Sequence, residues 1–119
     1  MLFRSAIELA HALGIAQPKA ALLAAVESVN GKMPATLDAA ALCKMADRGQ
    51  IKGALIDGPL ALDNAIDMSA VQQKNITSPV AGRANVLIVP DLEAGNILAK
   101  TLSFMAHAEA AGKIGRAHV

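Results

Sequence analysis

The chain has 119 residues, of which 54% are hydrophobic and 2% aromatic, and a formal net charge of +1. With no basic surface and neither Trp nor Tyr for stacking on bases, it is not expected to bind nucleic acid. It also has no apolar run near the roughly 20 residues that span a membrane. The lone Cys43 excludes an internal disulfide and a Cys-x-x-Cys site, and indicates a small buried residue in a reducing compartment. We therefore expect a cytoplasmic protein without a membrane partner.

Helices and strands are predicted to alternate along the chain. The first helix, residues 3–13, ends before Gly14, and Glu8 and His11 interrupt its apolar stretch in a way that argues against a signal peptide. Strands are predicted at 19–26, 51–56 and 85–89, and further helices from Thr36 or Asp38 to 48, at 60–71 and at 93–111. This order predicts right-handed crossovers and a parallel sheet covered on both faces. Since doubly wound sheets usually have about five or six strands, the chain is expected to be part of a larger domain.

A polar turn follows each predicted strand, at residues 27–32, 57–59 and 91–96. The carboxyl ends of parallel strands lie at one edge of a sheet, where α/β proteins bind their ligands, so the three turns are expected to gather there. The segment 78–100 is the most informative, because its turn joins a buried strand to a helix whose first amides favour an anion. The sequence therefore predicts a ligand that bears a phosphate or a carboxylate.

The turn after the second strand supplies three candidate substrate-binding residues, Asp57, Gly58 and Pro59. Gly58 permits a tight turn and a close approach of the backbone, and the Asp57 carboxylate could orient a polar substrate or bind a metal. Alternatively, Asp57 only caps the amides of the turn. Asp63 and Asp67, four residues apart on a predicted helix, could hold a divalent cation, but we interpret them as solvated acids and predict no metal site.

Further candidates flank the third strand. Ser78 could donate to a phosphate oxygen and Gly82 allows an unusual turn, so their loop is interpreted as a shaped wall of a cleft. Without a nearby base, Ser78 is not expected to be a nucleophile. Beyond the strand, helix amides and an ammonium group suit a phosphate or a pyrophosphate, although an ordinary helix start with solvated lysines is the alternative. The candidates there are Asp91, Gly95, Asn96 and Lys100. The other basic side chains considered are interpreted as solvated or packing residues: Lys74, His11 and His107.

Four runs of sequence resemble one enzyme family: MPATLDAAALCKMADRGQI, GALIDGPLALDNAI, SPVAGRANVLIVPDLEAGNILAK and AHAEAAG. Over residues 5 to about 112 the chain is similar to the phosphate acetyltransferase and phosphate butyryltransferase family, and AALCKMADRGQI is most similar to the butyryltransferase branch. The resemblance implies exchange of an acyl group between coenzyme A and inorganic phosphate, with acyl-CoA and phosphate as substrates and no permanently bound cofactor. It also implies a homo-oligomeric parent enzyme. The implied fold is the two-domain, three-layer α/β fold of isocitrate and isopropylmalate dehydrogenases, with a mostly parallel sheet and the site in the interdomain cleft.

The resemblance places the catalytic serine, its neighbouring arginine and an aspartate in a later motif, of the SRAD or NDLSRG type, that this sequence lacks. We therefore expect residues 1–113 to be a partial phosphate acyltransferase domain, without the N-terminal part and the catalytic C-terminal part, that contributes cleft walls but no catalytic residue. The last six residues, IGRAHV at 114–119, match the in-frame translation of a widely used sequencing adapter followed by a stop codon. We expect them not to belong to the natural protein.

Two other functions stay open at this point. A dehydrogenase module of the same fold would bind a metal at Asp63 and Asp67 and a nicotinamide cofactor, although no GxGxxG sequence follows a strand. A non-catalytic half-domain would instead bind a partner through exposed apolar faces. No pattern in the sequence marks the residues that would contact an acyl chain.

Overall fold

The computed structural model describes residues 2–117, with the side chains of residues 3–107. The helices are α1 (Leu2–Ala12), α2 (Pro34–Asp47), α3 (Leu62–Ile66), α4 (Met68–Gln73) and α5 (Leu92–Ala117). The strands are β1 (Lys19–Leu23), β2 (Leu55–Leu60) and β3 (Val86–Ile88). Among the described residues, no helix combines the length and the hydropathy that a membrane span requires.

The three strands form one parallel sheet in the order β2-β1-β3. The central strand β1 pairs on both sides, so that Ala20 lies opposite Ile56 of β2 and Val86 of β3. All three carboxyl ends therefore lie at one edge of the sheet, which we call the carboxyl edge. The predicted parallel sheet is confirmed.

Helices cover both faces of the sheet because β1 alternates its side chains between two apolar clusters. Ala20 and Leu22 point to the cluster that contains Phe3 and Ile7 of α1 and Ala39 of α2. The next cluster lies on the opposite face, beneath α3 and α4, and contains Ala21, Leu23, Leu60, Ala65, Val71, Val80 and Ala81. Leu98 of α5 packs on that second cluster. The predicted three-layer α/β arrangement is therefore confirmed, with alanines that let the helices approach the sheet closely.

The segment Asp57-Gly58-Pro59 lies inside β2, so the prediction of a turn at this point is wrong. A Cβ atom at Gly58 would lie 2.6 Å from the Cβ atom of Leu22, so glycine is what lets β2 approach β1 here. The pairing of the two strands shifts register between Ala21 and Leu23. Pro59 is tolerated because β2 is an edge strand of the described sheet. The strand continues to Leu60, and only the extended Ala61 separates it from α3.

The predicted helix 60–71 is divided into α3 and α4 at Asp67. The backbone of Asp67 is extended, with φ −119° and ψ 110°, and its Oδ1 accepts a hydrogen bond from the amide of Ser69. Asp67 is therefore the N-cap of α4. Asp63 and Asp67 do not share one helix face, which contradicts the geometry of the metal hypothesis.

The start of α2 and the end of α5 also differ from prediction. Helix α2 begins at Pro34, and its N-cap Met33 makes no side-chain cap. The buried hydroxyl of Thr36 donates to the carbonyl of Met33 and accepts from the amide of Asn30, so it ties the preceding loop to the helix and is not an N-cap. Helix α5 includes residues 114–117, and residues 118 and 119 lie outside the described residues. The origin of the tail 114–119 stays a prediction.

Candidate functional site

The carboxyl edge contains a topological switch point between β1 and β3. The chain leaves β1 toward α2, which packs on the face of Ala20 and Leu22. It leaves β3 toward α5, whose Leu98 packs on the opposite face. Adjacent parallel strands whose connections diverge in this way open a crevice beyond their ends, and ligands of open α/β sheets bind there. The fold therefore identifies the ends of β1 and β3 as the candidate site.

Three apolar grooves surround this point, and Val89 and Pro90 border all of them. The α2 groove, of about 410 Å³, is lined by Leu22, Leu23, Ala35, Asp38, Ala39, Ala41, Leu42, Ile88, Val89 and Pro90. The α5 groove, of about 350 Å³, lies on the other face and is lined by Leu23, Ala24, Ala25, Leu62, Val89, Pro90, Ala94 and Leu98. The β3 groove, of about 370 Å³, follows β3 and is lined by Phe3, Leu87, Ile88, Val89, Pro90, Asp91, Leu92 and Gly95. Asp38 and Asp91 are the only charged residues among these linings, so the grooves suit apolar groups better than anions.

The first turn of α5 is held by Asp91. Its Oδ1 accepts a hydrogen bond of 2.8 Å from the amide of Ala94, and its carbonyl accepts one from the amide of Gly95. Asp91 therefore acts as a cap that already occupies one amide of the predicted anion site. Asn96 and Lys100 are exposed on α5 and lie beyond this cap.

Ser78 and Gly82 belong to a loop that is tied to α3 and α4. The Ser78 hydroxyl accepts hydrogen bonds from the amides of Val80 and Ala81, each 3.0 Å long, and both of those residues are buried. Gly82 has φ +79°, and its amide donates to the carbonyl of Asn64 at 2.7 Å. The loop is thus held by hydrogen bonds within itself and to α3, and it leads to the amino end of β3. The predicted residues on this loop and those on α5 are held by different elements.

Asp57 and Gly58 connect β2 to α2. The half-buried Asp57 accepts a hydrogen bond from the amide of Gly58, and the Cys43 thiol donates to the carbonyl of Gly58 at 3.4 Å. Burial, followed by the negative charges of Asp57 and Asp47, raises the pKa of Cys43 to about 11. A thiol in this state stays protonated at neutral pH and is a poor nucleophile.

One charged cluster at this edge was missed in the sequence. Lys74, interpreted as solvated, has its Nζ 3.2 Å from Oε1 of Glu27 and 3.9 Å from Oδ2 of Asp63. The pKa of Glu27 is lowered, first by a hydrogen bond from its own backbone and then by Lys74. The pairing joins the loop after β1 to α3 and to the end of α4. Only the topology brings these residues together, so no local pattern could have shown it.

Asn64 lies beneath this cluster and is fully buried. Its amide helps to lower the pKa of Glu27, although neither of its side-chain polar atoms makes a hydrogen bond of ordinary geometry to a described residue. Among residues 3–107, no three His, Cys, Asp or Glu side chains are grouped as metal ligands. The charged groups at this edge form ion pairs between Lys74 and the carboxylates of Glu27 and Asp63.

Known proteins match this chain over most of its length. The family model for phosphate acetyl/butaryl transferase matches residues 3–115. A phosphate acetyltransferase of Rhizobium meliloti is 58% identical over 116 residues, which are 98% of this chain and 37% of that protein. A probable phosphate butyryltransferase of Bacillus subtilis (strain 168) is 56% identical over 113 residues, 95% of this chain and 38% of the relative.

A solved structure shows the same arrangement of elements. It is a branched-chain phosphotransacylase from Enterococcus faecalis V583, with 39% identity and a TM-score of 0.76 over 85% of this chain and 36% of that one. The chain therefore spans about a third of the length of the relatives it matches.

Proposed function

Because the chain belongs to the phosphate acetyl/butyryl transferase family, we propose that the whole protein exchanges an acyl group between coenzyme A and inorganic phosphate. The observation that carries this proposal is the family match, which extends from residue 3 to residue 115. The resemblance found in the four sequence runs is confirmed by that match.

In this reaction the thiolate of coenzyme A attacks the carbonyl carbon of an acyl phosphate. A carbon–sulfur bond forms, the bond from carbon to the phosphate oxygen breaks, and inorganic phosphate leaves with the electron pair. The reaction needs a base for the thiol proton and donors for the oxyanion that develops on the carbonyl oxygen. We propose that these groups, a serine, an arginine and an aspartate by resemblance, are supplied by the part of the relatives that lies outside this chain.

We propose that this chain contributes one wall of the cleft, formed at the carboxyl edge. The exposed Asn96 and Lys100 of α5 would contact the phosphate or the pyrophosphate of coenzyme A through a side-chain amide and an ammonium group, and Gly95 would let the helix lie close to Val89. Ser78 keeps a hydroxyl proton to donate while its oxygen holds the loop. The other predicted residues would act by fixing the backbone around the cleft: Asp57, Gly58, Pro59, Gly82 and Asp91.

The finer features implied by the resemblance belong to the same proposal. They are the two-domain fold of isocitrate and isopropylmalate dehydrogenases, an interdomain site, a homo-oligomeric parent and a cytoplasmic location. Acyl-CoA and phosphate would be its substrates, and no resident cofactor is required for the chemistry. The competing dehydrogenase hypothesis needs Asp63 and Asp67 on one helix face, and the cap at Asp67 separates them.

The test is a chimera in which residues 3–113 replace the matching segment of the Rhizobium meliloti enzyme. Formation of acetyl-CoA or butyryl-CoA from the acyl phosphate and coenzyme A is followed by thioester absorbance. We expect a rate within about tenfold of the parent, which corresponds to about 1.4 kcal/mol in the barrier. The 119-residue chain alone should make no thioester. A chimera with the fold and oligomeric state of the parent but no transfer of any acyl group would overturn the proposal.

A second candidate, binding of a partner protein, is favoured by the large apolar residues that α5 exposes. Leu92 and Phe104 are 79% and 70% exposed, and Ile97 and Met105 are exposed as well. Large exposed apolar residues can mark a surface that binds another protein. Concentration-dependent self-association of the chain, without binding of coenzyme A, would support this candidate over the first.

A further inference from the structure

We propose that the α2 groove holds the acyl chain of the substrate and that Ala35 limits the chain length it accepts. The inference rests on the proposed acyltransferase function and adds the part of the site that selects the substrate. An acyl chain differs from acetyl only in its methylene groups, so a site that selects among acyl chains must be an apolar slot of limited length. We expect such a slot at the carboxyl edge, where ligands of open α/β sheets bind.

The floor and walls of the α2 groove meet this requirement. Leu22 and Ala39 are buried at its base, and Leu42, Ile88 and Val89 complete an aliphatic surface. Its volume of about 410 Å³ lies in the range of small-molecule sites. No buried polar side chain would be left without a partner when a hydrocarbon chain fills it.

The charge at the groove indicates how the substrate is oriented. Asp38 is the one charged residue of its lining. A carboxylate repels phosphate, so the phosphate of an acyl phosphate and the phosphates of coenzyme A are directed away from the groove. Helix α5, which carries Lys100, packs through Leu98 on the face of the sheet opposite to α2. The acyl chain and the anionic group thus fall on different sides of Val89 and Pro90.

The other two grooves fit this role less well. The β3 groove follows the strand at the open edge of the described sheet, and a fourth strand would fill it. The α5 groove is lined in part by α5, a helix whose exposed large apolar residues are typical of a surface that another part of a protein covers. The α2 groove, by contrast, is bounded by β1, β3 and a helix that is already packed on the sheet.

Ala35 is the residue through which the length of the groove can be changed. It is half-buried in the first turn of α2 and lines the groove with only a methyl group. A leucine there would occupy space for about three more carbon atoms. Burial of each methylene of a substrate is worth about fourfold in binding, so loss of the two that distinguish butyryl from acetyl amounts to about fifteenfold.

The experiment compares Ala35→Leu with Ala94→Leu in the chimera, using acetyl-CoA and butyryl-CoA with inorganic phosphate. Ala94 is the matched control, because it is also half-buried in a first helical turn but lines the α5 groove. We expect the butyryl-to-acetyl ratio of kcat/KM to fall about fifteenfold for Ala35→Leu. The ratio should change less than about twofold for Ala94→Leu.

Leu42→Ala tests the same inference in the opposite direction. It removes part of the groove wall, so the ratio of hexanoyl to butyryl transfer should rise. The inference would be overturned if the folded Ala35→Leu and Leu42→Ala chimeras kept the substrate ratios of the unsubstituted chimera. It would also be overturned if Ala94→Leu lowered the butyryl-to-acetyl ratio as much as Ala35→Leu does. If Ala35→Leu does not fold, the Leu42→Ala ratio decides alone. A folded, unsubstituted chimera without any acyl transfer would instead refute the proposed function.

Discussion

Gly58 gives the sharpest test of how the sheet is built. A methyl group at this position would lie 2.6 Å from the Cβ atom of Leu22 and 2.7 Å from its carbonyl oxygen. Carbon atoms in contact are separated by about 3.5 to 4.0 Å, so β2 would have to move away from β1 by roughly 1 Å. The obstacle is the backbone of the central strand, which cannot rotate aside as a flexible side chain can.

Gly58→Ala should therefore lower the free energy of unfolding by about 2 to 3 kcal/mol, at the upper end of the range for overpacked sites. Gly31 is the matched control, since a Cβ atom there meets no atom within 4 Å. Gly31→Ala should leave the free energy of unfolding unchanged or raise it by up to about 1 kcal/mol, because alanine restricts the unfolded chain.

The assay is urea unfolding of the 119-residue chain followed by circular dichroism. The midpoint of Gly58→Ala should lie about 0.7 to 3 M below that of the parent chain, given slopes of about 1 to 3 kcal/mol per molar urea. Equal midpoints for Gly58→Ala and Gly31→Ala would refute the close approach of β2 to β1. They would favour the turn at 57–59 that the sequence predicts.

Three further predictions concern the charged and titrating groups. Cys43 should react with a thiol reagent far more slowly than free cysteine at pH 8, because burial raises its pKa to about 11. Because the ordinary pKa of the thiol is 9.0, the free energy of unfolding should fall as pH rises from about 9 through 11. A Cys43→Ala chain should not show that fall in urea unfolding at alkaline pH. The pKa of Glu27 is held below 4.5 in the folded chain, so its contribution to stability is present above that pH and is lost as pH falls through the lowered value. Lys74→Met should weaken this acid dependence, and an unchanged acid limb would contradict the Lys74 pairing. Asp67→Ala should lower the free energy of unfolding by about 1 kcal/mol through loss of the α4 cap. Added Mg²⁺ should not change the stability of the parent chain, and a Mg²⁺-dependent stability would restore the metal hypothesis.

The layered fold was predictable because its signal is local. Phe3, Ile7 and Ala10 recur at helical spacing and are buried on one face of α1, and the apolar run Lys19–Leu23 is the central strand β1. Strands separated by helices then require a parallel sheet. The position of the carboxyl edge follows from that topology without any tertiary contact.

Other features depended on contacts between distant parts of the chain. Gly58 and Pro59 are typical turn residues, and only the distance to Leu22 shows why they lie in a strand. Asp67 has the spacing of a helix-face residue but caps a new helix. The three grooves arise where helices leave parts of the sheet uncovered, so no single segment could reveal them.

The central claim is that the carboxyl edge of this sheet forms a wall of the cleft for acyl-CoA and phosphate. The most direct measurement is the KM of the chimera for phosphate and for acyl-CoA after Lys100→Met, with Lys52→Met as the control. Lys52 is also exposed but precedes β2, at the amino edge of the sheet. Loss of one charge-assisted contact of about 1.5 to 3 kcal/mol predicts a KM raised at least tenfold for Lys100→Met, with kcat little changed and Lys52→Met unaffected. Unchanged KM values for both substrates in Lys100→Met, or an equal rise in Lys52→Met, would contradict the claim.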